Sequence, residues 1–566
     1  MQSSIDRSQS AGRPATFDRA RALHGAGDYL AAAALCLEIL KAEPDQLASL
    51  HLLALTAQQL GRLDIAAGLL GRLMRLRPDW GDGHYQLGNV LRAQGDQVGA
   101  MAAYRQTLRC RPDHPEALNN LANALQDQGR LPEAIALYQR ALALRPDYPD
   151  ALCNLGHALR GAERLDEARQ CYDRILALEP EHADAWNSLG LVHHAAGRGT
   201  EALAAVERAL ALQPDFPTAL VNLSNLLQEA GDRAGAIDAV ERVLVLDPDH
   251  AKARNNRALL LLGAGRFETG WRDFEWRWQA ASLGTARRDP AVPQWQGEPA
   301  RGRTILVQAE QGFGDTLQFC RYVPMLAASG FQVVLEVPSP LVRLMASLAG
   351  GARVVPRGMS LPPVDLQCPM LSLPLGFGTL LETIPGTVPY LAADPAATET
   401  WRRRLAGEGL TVGLAWAGNP RTALPELAAI DRRRSMAPAA LAPLLACPGV
   451  RFVSLQKHGP SAPAEFGLVD PMAAMTDFAD TAALVAALDL VISVDTSIVH
   501  LAGALGRPVW LLNRFDGCWR WLDGRDDSPW YPTLRQFRQS RPGDWAGVVA
   551  RVRRALAAWR DQLGKA

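Results

Sequence analysis

"VISVDTSIVHLAGALGRPVWLL", residues 491–512, sets two apolar runs on either side of a polar corner. The first run stops at Asp495-Thr496-Ser497, a helix-like segment follows, and Gly506-Arg507-Pro508 turns the chain into the second run. Short apolar runs bounded by turn residues and separated by a helix read as buried parallel strands. A helix opening near Ser497 has first-turn N–H groups without internal partners and a positive dipole end. Such a corner attracts a phosphate, and it also occurs as a plain connection. Asp495 would repel a phosphate if it pointed inward. It therefore accepts from a ribose or sugar hydroxyl, or fixes the loop. His500, three residues into the helix, either reaches the same site with Thr496 and Ser497 or packs as a structural histidine.

The same texture extends outward. After the proline- and glycine-rich stretch 289–303, strand candidates fall at 304–309, 332–337, 352–356, 411–417, 451–456, 490–494 and 508–512, with helical material between most of them. This alternation is the signature of parallel α/β sheets. A break at 383–395 divides the region into two Rossmann-like halves, 290–395 and 396–566, and ligands belong at the carboxyl ends of their strands. Three strand ends are informative. "VQAEQGFGDTLQFCRYVP" (307–324) places Gly314 and Asp315 at a helix start, where Asp315 is either a helix cap or a reacting group. "GLAWAGNPRT" (413–422) turns at Trp416, Gly418 and Asn419 and precedes Arg432, Arg433 and Arg434, a solvated loop or an anion site. The third is the opening stretch, with Gln456 and Lys457 on the strand end before it.

The first half of the chain keeps a different measure. Prolines stand at 44, 78, 112, 146, 180, 214 and 248, every interval being 34. Glycine recurs with the same period at 27, 61, 95, 129, 197, 231 and 265, with Glu163 as the exception, and alanine at 32, 66, 100, 134, 168, 202 and 236. Each unit predicts two helices. Glycine suits the left-handed residue past the first, alanine allows close approach, and proline ends the second. The pattern resembles the tetratricopeptide repeat, with about eight units over 14–282. Asn120, Asn154, Asn222 and Asn256 share one place in their units. Such a column of amides either binds an extended peptide's backbone or joins neighbouring helices. The last unit, "GRFETGWRDFEWRW" (265–278), is aromatic and reads as a cap docking on the following domain.

Basic and acidic residues number 59 each, so the totals point to neither a nucleic acid nor an acidic membrane. The eight cysteines form no C-x-x-C pair, which favours a reducing compartment over a disulfide frame or a zinc site. The first residues carry no apolar leader segment, and no apolar run reaches the length of a membrane span. The expected location is cytoplasmic.

Taken together, "AEQGFGDTLQFCRYVP", "GLAWAGNP", "RRRSM", "FVSLQK", "DFADTAALVAALDLVISVDTSIVHLAGALGRPVW" and "WRWLDGRDDSPWYPTLRQFRQ" resemble bacterial glycosyltransferases that follow tetratricopeptide repeats and are related to the lipopolysaccharide heptosyltransferases. The resemblance implies the two-Rossmann arrangement called GT-B, preceded by an all-α repeat superhelix. It implies Asp315 as the base toward the acceptor and Asp495 as a donor-nucleotide residue, with Gly314, Thr496, Ser497 and His500 around them. Trp416 to Asn419, Arg434, Gln456 and Lys457 match positions lining the donor phosphates. The arginine run and "WAGNP" depart from the heptosyltransferases, so the sugar stays open. The repeats suggest a protein acceptor, flagellin being a candidate because some relatives of this layout modify it.

The chemistry expected is metal-independent, without a cofactor beyond the nucleotide-sugar co-substrate. A helix start with Arg434 or Lys457 stabilises the departing nucleotide, and Asp315 takes the proton of a serine or threonine hydroxyl, inverting the sugar carbon. The alternative is a repeat scaffold with a non-catalytic α/β half. Trp519, Trp521, Trp530 and Trp545 read as a buried seam where the terminal helix, near 543–563, crosses back over the first Rossmann half. Stacking on a sugar is the rival reading.

Overall fold

The computed structural model describes residues 14–280, 291–300, 302–420 and 425–563. The first residues of the chain, the expected repeat end at 281–282, the start of the linker, and Arg421 and Thr422 lie outside the described residues. The chain divides into two compact units, Met1–Ala219 and Leu220–Ala566.

The first unit is built of paired helices. The second helix of each pair ends at Ala42, Leu76, Cys110, Leu144, Leu178 or Leu212, two residues before a periodic proline. Gly27, Gly61, Gly95, Gly129 and Gly197 take φ between +71° and +85° just past the first helices, where a side chain would be strained. Glu163 holds the same left-handed conformation without that freedom, at φ 59°. The periodic alanines 32, 66, 100, 134, 168 and 202 are all fully buried. A larger residue there would separate the helices and open the core.

In the second unit the repeat helices continue through Arg233–Leu246, Ala251–Gly263 and Phe267–Phe274. Two parallel sheets follow. The first joins β1 (Thr304–Gln308), β2 (Gln332–Val337), β3 (Arg353–Pro356) and β4 (Leu366–Pro369) in the order β3-β2-β1-β4. The second joins β5 (Leu410–Ala415), β6 (Val450–Ser454), β7 (Leu490–Val494), β8 (Val509–Asn513) and β9 (Leu534–Arg538) in the order β6-β5-β7-β8-β9. The fold is therefore an all-helical tetratricopeptide region followed by an α/β region with parallel sheets. Strand order reverses beside β1 in the first sheet and beside β5 and β7 in the second. Loops after those strands diverge and leave a crevice at the carboxyl ends.

The aromatic last repeat is part of the α/β core. Phe267, Trp271 and Phe274 are buried in one cluster with Phe319, Trp519 and Trp530. Trp271 meets Trp519 edge-on at 5.4 Å, and its indole N–H donates to the Thr379 carbonyl at 3.1 Å. Each such ring buries on the order of 200 Å², roughly 5 kcal/mol of gross transfer free energy. Arg277 reaches further in. Its Nε and Nη2 donate to Glu310 at 2.9 and 3.0 Å, and Nη2 also donates to Ser372 at 2.8 Å. Glu310 in turn accepts the Leu371 N–H at 2.7 Å, so the exit of β1 is fixed from both sides.

One expectation is corrected. The helix Trp545–Leu563 does not return to the first half. Its stripe Val548, Val549, Val552 and Leu556 packs on the second sheet, in a cluster with Val412, Trp510, Leu512 and Phe537. That face of the second sheet carries its own apolar layer and needs a cover, whereas the inner face is shared with the first half. Trp519, Trp521 and Trp530 are buried as expected, the last two at 0% exposure, but they lie between the two halves and the last repeat, whereas Trp545 is half-buried and packs with the terminal helix on the second sheet.

Candidate functional site

Two helix starts face each other across the crevice. The helix Phe313–Phe319 follows β1, and the helix Ser497–Ala504 follows β7. They approach at Gly314, where the His500 ring packs against the glycine. A Cβ added there would lie 2.8 Å from His500 Cδ2 and 3.7 Å from Ser497 Cα, so only glycine permits this approach. Arg343 ties the halves at the rim by ion pairs to Asp477 and Asp480 at 3.2 and 2.6 Å, and the Tyr390 N–H donates to the Ala504 carbonyl at 3.0 Å.

Asp315 sits in the first turn of its helix, half-buried. Oδ2 accepts the Gly312 N–H at 2.8 Å, and Oδ1 accepts from the Arg520 guanidinium. Asp315 is thus a helix cap, the first of its two readings. One oxygen serves the helix start and the other meets a side chain from the opposite half. On the second helix, Thr496 Oγ1 accepts the Ile498 N–H at 3.3 Å and lies 3.0 Å from Ser493 Oγ. Asp495, Thr496 and Ser497 are half-buried while the rest of the helix is buried, so the leading edge stays partly open. No acidic residue stands in its first turn.

His500 is buried at 4% exposure. Its Nδ1 lies 2.9 Å from the Tyr531 hydroxyl, and its ring stacks on Trp521 at 5.1 Å. Burial, then the charges of Arg520 and Arg321, hold its pKa well below the usual histidine value, so the ring is neutral near neutral pH. It spaces the two helices at Gly314.

The corner after β5 is knitted by its own polar groups. Gln456 Oε1 accepts the Trp416 and Ala417 N–H groups, both at 2.9 Å, and Nε2 donates to the Ala417 carbonyl at 2.9 Å. Trp416 is buried and donates to the Pro460 carbonyl at 2.8 Å. Gly418 leaves room for Asp431 and Arg434, which pair at 2.7 Å, and its N–H donates to Ser435 Oγ at 3.0 Å. Asn419 is exposed. Arg432 is exposed, while Arg433 pairs with Glu229 at 2.6 Å and approaches Asp516 at 3.5 Å. Lys457 is exposed and donates to the Met475 carbonyl at 2.6 Å. Trp416 and Gln456 thus stabilise the corner, and Asn419 is the member that faces solvent.

The repeat amides connect neighbouring helices. In the first unit Asn120 Nδ2 donates to Asn89 Oδ1 at 3.0 Å, and Asn154 Nδ2 to Asn119 Oδ1 at 3.1 Å. In the second, Asn256 Nδ2 donates to Asn225 Oδ1 at 2.9 Å, and Asn222 is buried. Asn120 Nδ2 also donates to the Tyr85 hydroxyl at 3.4 Å, and its Oδ1 accepts from Asn119 Nδ2 at 3.4 Å.

Sequence reasoning passed over Arg520. It sits in the short turn Trp519–Trp521, 9% exposed, with its guanidinium over the Trp519 ring at 4.4 Å. The pattern Trp-Arg-Trp was the only signal. A charged residue between two buried aromatics needs an internal partner.

Residues 468–512 match the family model described as glycosyltransferase family 9 (heptosyltransferase), a span holding β7, the Ser497 corner and most of β8. Tetratricopeptide models match 88–129, 122–161, 153–217 and 193–260. The chain thus combines tetratricopeptide repeats with a heptosyltransferase-like α/β segment. Among curated proteins it is similar to Protein FlbA of Caulobacter vibrioides, 30% identical over 330 residues, 53% of this chain and 54% of that one. The chain spans about half the length of that relative. Similar solved structures include MamA, 28% identical over 29% of this chain and 97% of that chain, TM-score 0.27. A tetratricopeptide repeat protein from Parabacteroides merdae is 13% identical over 44% and 97%, TM-score 0.37.

Proposed function

We propose that the protein is a glycosyltransferase that moves a sugar from a nucleotide-sugar donor to a serine or threonine hydroxyl of a protein acceptor. The observation that supports this reading is the close approach, at Gly314, of the helix that carries Asp315 to the open Ser497 helix start, at points where strand order reverses. The nucleotide's phosphate lies at the first turn of Ser497–Ala504, where N–H groups and the dipole favour negative charge. Asp495 takes a sugar or ribose hydroxyl. The acceptor oxygen attacks the anomeric carbon, its proton passes to Asp315, and the bond to phosphate breaks with both electrons leaving on the nucleotide. A single displacement of this kind inverts the sugar carbon. Arg434, at the end of the helix Pro425–Arg434, and Lys457, shortly past β6, are further cations for the phosphates, and this scheme uses no metal.

The repeats select the acceptor. Asn120 and Asn154 in the first unit, and separately Asn256 in the second, are half-buried amides that offer polar groups to an extended segment of the acceptor. Flagellin is the candidate acceptor, on the strength of the sequence resemblance. The eight free cysteines fit a cytoplasmic enzyme, and among the described residues no helix is long and apolar enough to cross a membrane. The test is intact mass of flagellin from cells with and without this protein, followed by transfer in a purified system. A mass difference of whole sugar units is expected. Identical flagellin masses would remove flagellin as the acceptor, and no transfer from any nucleotide sugar to any protein of the cell would remove the activity.

A further inference from the structure

The Arg520–Asp315 pair has a feature that the proposed reaction does not explain. Asp315 must accept a proton, yet both of its oxygens are engaged, Oδ2 by the Gly312 N–H and Oδ1 by Arg520. The first bond belongs to the helix start and is local. The second crosses between the halves and is the one open to exchange. Arg520 is itself incompletely satisfied. Its Nη1 donates to Cys518 Sγ at 3.2 Å, a weak acceptor, and its buried Nε has no partner among the described residues.

The surroundings of Arg520 concentrate charge. Burial lowers its pKa, but the carboxylates of Asp315 and Asp495 and the hydrogen bond to Cys518 outweigh burial, so the guanidinium is held protonated. Asp495 immediately precedes Thr496, the cap of the Ser497 helix. Arg520 therefore lies within electrostatic reach of both the Asp315 carboxylate and the open helix start. A planar guanidinium with a free N–H matches a phosphate oxygen better than a single thiol and a shared carboxylate.

We infer that Arg520 is a counter-ion switch: it neutralises Asp315 in the free protein and transfers to the nucleotide's phosphate when donor binds, releasing Asp315 Oδ1 to receive the acceptor's proton. No covalent bond changes in this step. The guanidinium exchanges one anionic partner for another, and the ligand class is a nucleoside mono- or diphosphate. The proposal rests on the glycosyltransferase reading and adds an order to it, donor before acceptor.

The switch makes a prediction with an unusual sign. Calorimetric titration of the full chain with UDP, CDP, GDP, ADP and CMP, each against its nucleoside, identifies the nucleotide that binds. Arg520→Gln should then lose about tenfold or more in affinity for that nucleotide, since hydrogen bonds to charged groups are of this strength, with nucleoside affinity unchanged. Asp315→Asn, which removes the competing carboxylate, should bind the nucleotide several-fold more tightly than wild type. A merely structural pair predicts equal or weaker binding for both variants. Where Arg520→Gln fails to fold, Arg520→Lys and Asp315→Asn decide the matter. Unchanged or weaker nucleotide binding by folded Asp315→Asn overturns the switch and leaves the proposed function standing. Absence of nucleotide binding by the wild type overturns both.

Discussion

The two helix starts of the crevice are alike in position and differ in how they are capped. Phe313–Phe319 carries Asp315 in its first turn, and that carboxylate turns back on the Gly312 N–H. Ser497–Ala504 carries no acid in its first turn and is capped by the neutral hydroxyl of Thr496. A carboxylate at a helix start satisfies the local N–H groups and repels a second anion, whereas a hydroxyl cap leaves the dipole available. The first start is thus suited to accept a proton and the second to hold a phosphate. Under the proposed function, the two roles fall on two halves of one crevice.

The largest effect expected breaks the first side of this contrast. Asp315→Asn keeps the shape of the helix start and removes the base. Transfer should fall by about 10²–10⁴-fold, measured by sugar incorporation into the acceptor, while nucleotide binding persists. Retained transfer would take the base role away from Asp315.

Gly314 sharpens the contrast by setting the distance between the two starts. Gly314→Ala should lower stability by about 1–3 kcal/mol through overpacking against His500, measured by urea unfolding. A His500→Ala partner mutation should offset part of that loss non-additively. Full additivity would mean the two helices are not in contact there.

His500 gives a pH signature. Its folded pKa is depressed, chiefly by burial. The unfolded chain therefore binds a proton below about pH 6.5 that the folded chain refuses. The associated stability is complete above that pH and is lost as pH falls. His500→Gln should reduce the acid-side slope of unfolding free energy by up to about 1.4 kcal/mol per pH unit. His51, His114, His157 and His193 are depressed in the same sense, burial again being the main cause, so the remaining slope should not vanish.

The smallest effect tests the repeats. Glu163 occupies a left-handed position that glycine holds in the other units. Glu163→Gly should raise stability by about 1 kcal/mol, measured as an upward shift of the urea midpoint.

How much of this was legible in the sequence depended on repetition and on local rules. The 34-residue measure located each helix end, buried alanine and left-handed glycine, because the same contact is solved again in every unit. Seven of the nine strands were visible as apolar runs. β4, "LQCP", is too short and polar to stand out, and β9, "LRQFR", an edge strand, has only two apolar residues among five. The terminal helix was placed correctly, but an amphipathic stripe does not say which sheet it covers.

At the site, sequence identified strand-end polar residues without telling which of them serve their own backbone. Trp416 and Gln456 do so, His500 is enclosed, and Asp315 is shared between helix and crevice. Arg520 was hidden among tryptophans because its partner lies 205 residues away.

Amide hydrogen exchange of the full chain, with and without the nucleotide that binds, tests the central claim most directly. The account predicts protection gathered at 495–499 and 310–316, the two facing helix starts. Protection confined to the repeat helices, or to the surface around Arg432, with both starts unchanged, would contradict it.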